Sequence, residues 1–218
     1  MKHKRLLVLG ASGGCGQWVV RIAVQRGYQV TALVRPETNY EAPDGVEVVR
    51  GSVLETEVLE QAMKGQDAVI SCLGIKRKSS INPWSGLASP PDFAEKSAQI
   101  IAEAMDKHDV QRLVAVSAAG VGDSRNALTR IISLMIQKTN ISLSYRDLEN
   151  MEEVYKKSDI DSLAVRPVTL VNGRTTDRAR LVDHYGLFSR IARSDVAGWM
   201  LDALERPGPF KKASEMIG

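Results

Sequence analysis

Short apolar runs alternate with amphipathic patterns along most of the chain. Runs rich in β-branched residues predict six buried strands, at residues 5–10, 28–34, 46–51, 67–74, 112–120 and 161–167. Between them, apolar positions at three-to-four-residue spacing predict helices at residues 16–27, 56–65, 92–108, 126–138, 145–159 and 194–208. Strands that are apolar throughout are typical of a parallel sheet covered by helices on both faces. With right-handed crossovers, this pattern predicts an α/β fold, a single doubly wound domain over residues 1–218 with a parallel sheet of six to seven strands.

Individual residues predict where some of the helices begin and end. Gly27 follows the first helix and predicts its end. Asp92 and Glu95 have the spacing of a capping box at the start of the third helix, with Asp in place of Ser or Thr. Ser194 or Asp195 is expected to cap the last helix.

Composition and charge narrow the class of ligand. The 218 residues are 44% hydrophobic and 25% charged, which is typical of a globular domain with a sizeable core. The net charge is +3, but Lys and Arg are scattered, apart from the run at residues 76–78. A nucleic-acid binder usually concentrates such charge in a stripe. We therefore expect a small-molecule ligand and no nucleic acid, with a monomer or a homodimer both open.

The cysteines and the apolar runs bear on the cellular compartment. Cys15 and Cys72 lie beside apolar runs and not in a spaced framework, so neither a disulfide scaffold nor a metal site is predicted. The apolar run Leu6 to Leu9 is shorter than the roughly seven residues that a signal peptide needs. No stretch approaches the roughly 20 apolar residues of a membrane span. We expect a cytoplasmic protein without membrane contact.

The stretch "VLGASGGCGQWVV", residues 8–20, places four glycines where the first strand passes into the first helix. Three of them have the spacing G-x-x-G-x-x-G. Glycines there allow a sharp turn, a close approach of the backbone to a pyrophosphate and tight helix–sheet packing, and the helix N-terminus attracts the anion. The alternative is a tight turn that merely needs glycine, but the strand–turn–helix context favours a dinucleotide-binding Rossmann fold. The predicted cofactor-binding loop comprises Gly10, Ser12, Gly13, Gly14, Cys15 and Gly16.

Two side chains in this loop have predicted roles. The Ser12 hydroxyl can donate to a phosphate oxygen. Cys15 is interpreted as a small side chain that fits the loop, in preference to a reactive thiol.

Arg35 at the end of the second strand bears on which dinucleotide is bound. NAD-specific folds place Asp or Glu at this position to bind the ribose hydroxyls, whereas here the first carboxylate is Glu37. A guanidinium binds a 2′-phosphate through charge-assisted hydrogen bonds. The sequence therefore predicts NADP(H) as cofactor, with a solvated Arg35 as the alternative.

Seven motifs along most of the chain, "GASGGCG", "VTALVRP", "GSVLE", "GQDAVISCLG", "LVAVSAAG", "LAVRP" and "SDVAGWML", resemble those of a known family. The chain is similar to the atypical short-chain dehydrogenases/reductases of the NAD(P)-binding NmrA-like group. Within that group it resembles the biliverdin-IX-beta reductase (flavin reductase) branch.

The resemblance implies further cofactor contacts at the ends of the later strands. They are Ser52 and Val53 beside the adenine, Leu73 and Gly74 beside the ribose and pyrophosphate, Ser117 near the nicotinamide, and Pro167 and Val168 as the wall behind it. The family usually has Asp where this chain has Ser52, so that contact is weakened.

The chain departs from the superfamily at the proton donor. Standard members have Tyr-x-x-x-Lys, in which a lowered pKa lets the phenol act as a general acid. Here Tyr145 is followed four residues later by Glu149, and Tyr155 by Asp159. Thr169 stands where the reductase branch often has histidine. An acceptor such as a flavin or quinone can take hydride from the cofactor with its proton from solvent, so these departures leave reductase activity possible.

Candidate substrate contacts fall in three segments without periodicity, residues 75–91, 119–130 and 168–190. Ser117 is the candidate catalytic residue, as a hydrogen-bond donor to the nicotinamide amide or the acceptor; a serine that merely ends a strand is equally open. His184 and Tyr185 are interpreted as part of a solvated loop in preference to a substrate lid.

The remaining polar and apolar candidates have simpler interpretations. Trp84 is expected to anchor its loop in preference to stacking on a substrate, and residues 76–78 either reach phosphates or an acidic substrate or are solvated. His3 and His108 are interpreted as surface residues, and the apolar helix at 126–138 as core in preference to an interface.

Together these features predict an NADP(H)-dependent oxidoreductase, a reductase that transfers hydride to a planar or carbonyl small molecule. Two alternatives stay open: a non-catalytic NADP-binding regulatory protein, and a non-redox tailoring enzyme such as an isomerase or cyclase.

Overall fold

A seven-stranded parallel sheet forms the centre of the molecule, in the strand order β3-β2-β1-β4-β5-β6-β9. The structure is a computed structural model that describes residues 5–79, 82–173 and 175–218. The strands of this sheet are β1 (Arg5–Leu9), β2 (Gln29–Val34), β3 (Glu47–Arg50), β4 (Ala68–Ser71), β5 (Arg112–Val116), β6 (Asp161–Pro167) and β9 (Ala213–Ile217). Two further strands, β7 (Thr169–Val171) and β8 (Arg190–Ala192), form a small parallel pair beside it.

Six α-helices connect the strands in the described part of the chain. They are α1 (Gly16–Gln25), α2 (Thr56–Met63), α3 (Phe93–Lys107), α4 (Arg130–Gln137), α5 (Ile141–Lys157) and α6 (Arg193–Glu205), and a 3-10 helix spans Gly122–Ala127. Helices α1 and α6 pack against one face of the sheet, and α2, α3 and α5 cover the other. The predicted doubly wound α/β fold with a parallel sheet is confirmed.

The strand order reverses between β1 and β4, and this reversal positions the functional crevice. The chain moves from β1 outward to β2 and β3, then returns to pair β4 on the other side of β1. Leu9 and Ser71 lie opposite each other at the ends of these strands. Loops after β1 and β4 therefore diverge to opposite faces, which leaves a crevice at the carboxyl edge of the sheet.

The start of α3 differs from the capping-box prediction. The Asp92 side chain pairs with Lys96 and caps no backbone N–H of α3. Instead, the Asp147 carboxylate on α5 accepts hydrogen bonds from the backbone N–H groups of Ala94 and Glu95, at 2.8 and 3.0 Å. A carboxylate from a neighbouring helix thus accepts the hydrogen bonds of the free N–H groups in the first turn. Local sequence spacing could not indicate this contact.

The start of α6 also differs from the prediction. Ala192 stands at the N-cap, and Ser194 and Asp195 lie within the first turn of the helix. The Asp195 carboxylate faces away from its own backbone: it accepts hydrogen bonds from the Thr176 hydroxyl and backbone N–H, at 2.7 and 2.8 Å. Asp195 therefore fixes the loop after β7.

Some boundaries also shift. Gly27 ends α1 as predicted, with a φ of +81°, but α4 begins only at Arg130 and α5 begins earlier, at Ile141. The strand expected over residues 112–120 ends at Val116. None of the helices in the described ranges is long and apolar enough to cross a bilayer.

Candidate functional site

The glycine-rich turn after β1 needs its glycines for geometric reasons. Gly10 has a φ of +71°, and a Cβ there would lie 2.9 Å from the carbonyl oxygen of Cys72. The Gly10 carbonyl oxygen accepts a hydrogen bond from the N–H of Gly13, at 2.9 Å. A Cβ on Gly16 would lie only 2.2 Å from that same oxygen. Close approach of the backbone to itself thus requires glycine at Gly10 and at Gly16, as the spacing predicted.

The N-terminus of α1 is open where the turn ends. Among the described residues, no side chain caps this helix, and its first turn has no acidic residue. Gly13 and Gly14 are exposed. Ser12 contributes its carbonyl oxygen to the Gln17 side-chain amide, at 2.9 Å, which braces the turn. A helix N-terminus without a side-chain cap, preceded by exposed glycines, fits the pyrophosphate of a dinucleotide.

The two cysteines beside this turn are free thiols. Burial raises the pKa of Cys15 to about 11, although the Arg193 charge opposes the shift. Burial also raises the pKa of Cys72. Because the thiolate is the reactive form, these pKa values agree with the interpretation of Cys15 as a small residue that fits the loop.

Two guanidinium groups lie near the end of β2. Arg35 is exposed, which fits both a phosphate ligand and the solvated alternative, and its Nε lies 3.4 Å from a carboxylate oxygen of Glu37. Arg50, at the end of the neighbouring β3, donates to the carbonyl oxygen of Thr38 at 3.1 Å. The structure therefore shows a second guanidinium, that of Arg50, beside the segment after β2, and it pairs Arg35 with Glu37.

The residues after β3 form a turn that leads into α2. The Ser52 hydroxyl accepts a hydrogen bond from the N–H of Leu54 at 3.2 Å, and the Ser52 carbonyl accepts one from Glu55 at 3.0 Å. The Val53 side chain is buried in the core beneath α2. The Val53 side chain therefore faces the core and is not available for the predicted adenine contact.

The end of β4 lies directly beside the glycine turn. The Leu73 side chain is half-buried, with its Cδ2 3.2 Å from where a Cβ on Gly10 would stand. Gly74 follows as an exposed residue. These two predicted contacts thus lie at the crevice beside Gly10, as the parallel pairing of β1 and β4 requires.

A buried ionic network joins the ends of β5 and β6 to α5. The Ser117 hydroxyl donates to Glu152 Oε1 at 2.6 Å, and Arg166 Nε donates to the same oxygen at 3.0 Å. Arg166 Nη2 binds Glu152 Oε2, and Nη1 binds Asp123, each at 2.5 Å. The side chains of Arg166 and Glu152 are only 2% and 3% exposed.

In this network, the neighbouring carboxylates together affect the pKa of Arg166 more strongly than burial does. Burial alone lowers the pKa of Arg166, but the Glu152 and Asp123 carboxylates overcome that effect and raise it. Their guanidinium partner lowers the pKa of Asp123 in turn. This network was not predicted from the sequence. Its signal was Arg166 itself, because a cation between the apolar residues Val165 and Pro167 of a buried strand requires a buried partner.

The hydrogen-bond direction at Ser117 matters for its expected role. Its proton is donated to Glu152, so Ser117 is not the free donor that the sequence suggested, and its oxygen is left as a hydrogen-bond acceptor. Pro167 and Val168 lie at the adjacent strand end: the Pro167 carbonyl accepts the N–H of Ala119 at 3.0 Å, and the buried Val168 donates its N–H to Ile217 at 3.0 Å. The predicted nicotinamide-side residues are therefore neighbours on paired strands.

Neither candidate tyrosine is an activated acid. The Tyr145 phenol donates to the carbonyl oxygen of Ala119 at 3.0 Å, and burial raises its pKa. Tyr155 is buried beneath the sheet, and burial likewise raises its pKa. Both shifts are opposite to the lowered pKa that the tyrosine acid of standard short-chain dehydrogenases needs.

The segment around residue 185 corrects one prediction. Tyr185 is not part of a solvated loop: it is 7% exposed, its hydroxyl lies 2.8 Å from the Thr169 hydroxyl, and its N–H donates to Ala127 at 2.8 Å. Backbone pairing with residues before α4 pulls this aromatic ring inward. His184 is exposed, as expected. Tyr185 and Thr169 are thus hydrogen-bonded neighbours within the segment where substrate contacts are predicted.

The loop after β4 also differs from expectation. The Trp84 ring is 67% exposed and does not anchor the loop. Its backbone does so instead, because the Asn140 side-chain amide donates to the Trp84 carbonyl oxygen at 2.8 Å. The backbones of Lys76 and Lys78 form hydrogen bonds with Ala88 and Gly86 in the returning half of the loop, while both lysine side chains are exposed.

Three remaining expectations have mixed outcomes. The apolar helix α4 buries Ile132 and Ile136 but leaves Ile131 and Leu134 exposed, so it is only partly core. His108 is half-buried at the end of α3. His3 lies outside the described residues, as do positions 80, 81 and 174 of the candidate loops.

Comparison with known proteins identifies the cofactor class. A family model described as NAD(P)H-binding matches residues 10–207. A chloroplastic protein of Arabidopsis thaliana is 26% identical over 229 residues, an alignment that covers 100% of this chain and 78% of that protein. The predicted family is thereby confirmed.

Two solved structures share the fold. A short-chain dehydrogenase/reductase of Veillonella parvula, determined in complex with NADP, superposes with a TM-score of 0.78 at 17% identity, covering 99% of this chain and 94% of that one. ChuY, an anaerobilin reductase of Escherichia coli O157:H7, superposes with a TM-score of 0.75 at 20% identity, covering 98% and 96%.

Proposed function

Because the chain belongs to the NAD(P)H-binding family, we propose that it is an NADP(H)-dependent reductase that transfers hydride to a planar or carbonyl small molecule. One observation carries the proposal. Four residues, Gly10, Leu73, Ser117 and Pro167, lie at the carboxyl ends of four adjacent parallel strands, β1, β4, β5 and β6. They therefore line one crevice at that edge of the sheet. That edge is where doubly wound sheets bind dinucleotides.

The residues of this chain would divide the work of binding the cofactor. N–H groups of the glycine turn and of α1 bind the pyrophosphate, and Arg35 and Arg50 face the 2′-phosphate. The lone pairs of Ser117 accept a hydrogen bond from the carboxamide of the nicotinamide. When bound, the cofactor supplies the hydride.

The proton has a different source. Tyr145 and Tyr155 are both buried and burial raises the pKa of each, so neither is the activated general acid of the standard superfamily members. The acceptor class that fits this arrangement takes its proton from solvent, as flavins and quinones do. Tyr185 and Thr169 line the substrate side and orient the acceptor.

Removing the Arg35 guanidinium tests the choice of NADP(H) over NAD(H). We expect Arg35→Ala to weaken NADPH binding roughly tenfold or more, because a charge-assisted hydrogen bond to phosphate is lost. NADH binding should change little. Titration calorimetry with both nucleotides measures the ratio of the two affinities.

A matched variant acts in the opposite direction. Glu37→Gln removes the carboxylate beside Arg35, so NADPH should bind more tightly. Equal affinity of the wild-type protein for NADPH and NADH would contradict the assignment.

Turnover tests the reductase itself. Incubation with NADPH and a panel of flavins, quinones and carbonyl compounds should give steady loss of absorbance at the nicotinamide band with at least one planar acceptor. Ser117→Ala should lower the rate with little loss of NADPH affinity, since Ser117 is proposed to orient one end of the cofactor.

The second candidate function is a non-catalytic NADP-binding protein. The observation in its favour is that the phenols of Tyr145 and Tyr155 are both buried, with raised pKa values. Tight NADPH binding without turnover on any acceptor class would support it over the reductase.

A further inference from the structure

The side chain of Arg193, a residue far from the glycine turn in sequence, lies against that turn. Arg193 is the first residue of α6. A Cβ on Gly14 would stand 2.7 Å from Arg193 Nε and 2.8 Å from its Cδ. Gly14 therefore leaves the space that this side chain occupies, and Gly14 is the glycine of the turn that the G-x-x-G-x-x-G spacing does not explain.

The Arg193 guanidinium is hydrogen-bonded to a neutral side chain. Its Nη1 donates to the side-chain oxygen of Asn172, in the loop after β7, at 2.7 Å. Among the described residues, no carboxylate forms an ion pair with Arg193, whereas Arg26, Arg112, Arg166 and Arg206 each have one. A positive charge is thus fixed in place but not neutralised.

The surroundings of this charge favour an anion. The Arg193 charge acts on Cys15, the residue before α1, where it opposes the rise in the thiol pKa. The open N-terminus of α1, with its partial positive charge, begins at the next residue. An unpaired guanidinium and a helix N-terminus at one turn both attract the same kind of group, a phosphate or pyrophosphate.

We propose that Arg193 is a cofactor-binding residue whose guanidinium, oriented by Asn172, binds the pyrophosphate of the dinucleotide across the glycine turn. The inference rests on the proposed cofactor function and adds a contact from α6 that neither the glycine motif nor the family resemblance assigns. Because the pyrophosphate is common to NADH and NADPH, Arg193 acts on both, whereas Arg35 acts on NADPH alone.

Nucleotide titrations of matched variants test this role. Arg193→Ala should weaken binding of NADPH and NADH by the same factor, roughly 10- to 100-fold, as expected for a lost hydrogen bond between charged groups. Arg193→Lys should retain part of the affinity, because it keeps the charge but loses the planar fork. Asn172→Ala should have a smaller effect in the same direction.

Two controls isolate the contact. Arg21→Ala removes one positive charge from the exposed side of α1, where Arg21 lies over the Trp18 ring, and should leave nucleotide affinity unchanged. Adenosine 2′-monophosphate, which has no pyrophosphate, should bind the wild-type protein and Arg193→Ala equally. Thermal unfolding without nucleotide checks that each variant is folded.

The possible outcomes separate this inference from the proposed function. If the wild-type protein binds neither nucleotide, both fail. If it binds NADPH but Arg193→Ala binds equally well, the cofactor proposal stands and the role of Arg193 is wrong. Tighter binding by Arg193→Ala would mean that the side chain obstructs the turn, which also overturns the inference.

Discussion

Replacing Gly16 with alanine is expected to abolish tight NADPH binding and to destabilise the protein by about 1–3 kcal/mol, the usual cost of forcing extra atoms into a packed site. The added Cβ would lie 2.2 Å from the Gly10 carbonyl oxygen, which belongs to backbone and has no flexible end to move aside. The turn must open, and its N–H groups then lose their common direction. Urea denaturation and nucleotide titration measure the two effects.

Gly198 provides the matched control within α6. A Cβ there meets no atom within 4 Å, apart from the backbone of its own helix. Gly198→Ala should therefore stabilise the protein by about 0.5–1 kcal/mol, because alanine is the better helix former, and nucleotide affinity should stay unchanged. A Gly16→Ala protein that binds NADPH as the wild type does would show that the turn is not the anion site.

Removing the Glu152 carboxylate is the second change with a large expected effect. Glu152→Ala leaves the Arg166 guanidinium buried without its main partner, since Asp123 is the only other carboxylate that binds it among the described residues and is largely exposed. Breaking a buried ion pair in this way costs about 3–5 kcal/mol. Urea denaturation followed by circular dichroism measures the loss.

Two comparisons make this result specific. Glu153→Ala, the next residue on the same helix, removes an exposed pair with Lys156 and should change stability by less than about 1 kcal/mol. The double variant Glu152→Leu with Arg166→Leu should recover much of the stability, because no unpaired charge is left inside. A loss of stability below about 1 kcal/mol for Glu152→Ala would contradict the proposed contribution of this network to the free energy of unfolding.

Parts of this fold that depend on local pattern were predictable from the sequence. Strand β1 is a continuous apolar run with Leu6 to Leu9 fully buried, which is the pattern that a central parallel strand requires. The glycine turn was predictable for the same reason, since a backbone that approaches itself at Gly10 and Gly16 excludes other residues. Local chemistry determines both features.

The features that were missed depend on contacts between distant residues. Strand β9 pairs with β6 along one edge only and is mostly half-buried, so its residues carry no continuous apolar signal. The side chain that caps α3 is Asp147, which lies 53 positions from Ala94 in sequence. The nearer Asp92 forms an ion pair with Lys96 instead. Arg193 meets Gly14 only because α6 packs beside α1.

Helix α5 links three parts of the site mechanically. Its N-cap residue Asn140 ties down the loop at Trp84, its Asp147 fixes the first turn of α3, and its Glu152 sets the orientation of the Ser117 hydroxyl. The segment between Trp84 and Ala94 is therefore hydrogen-bonded at both ends to the same helix, α5. A displacement of α5 would therefore act on this segment and on the Ser117 hydroxyl at the same time, because all three contacts belong to one helix.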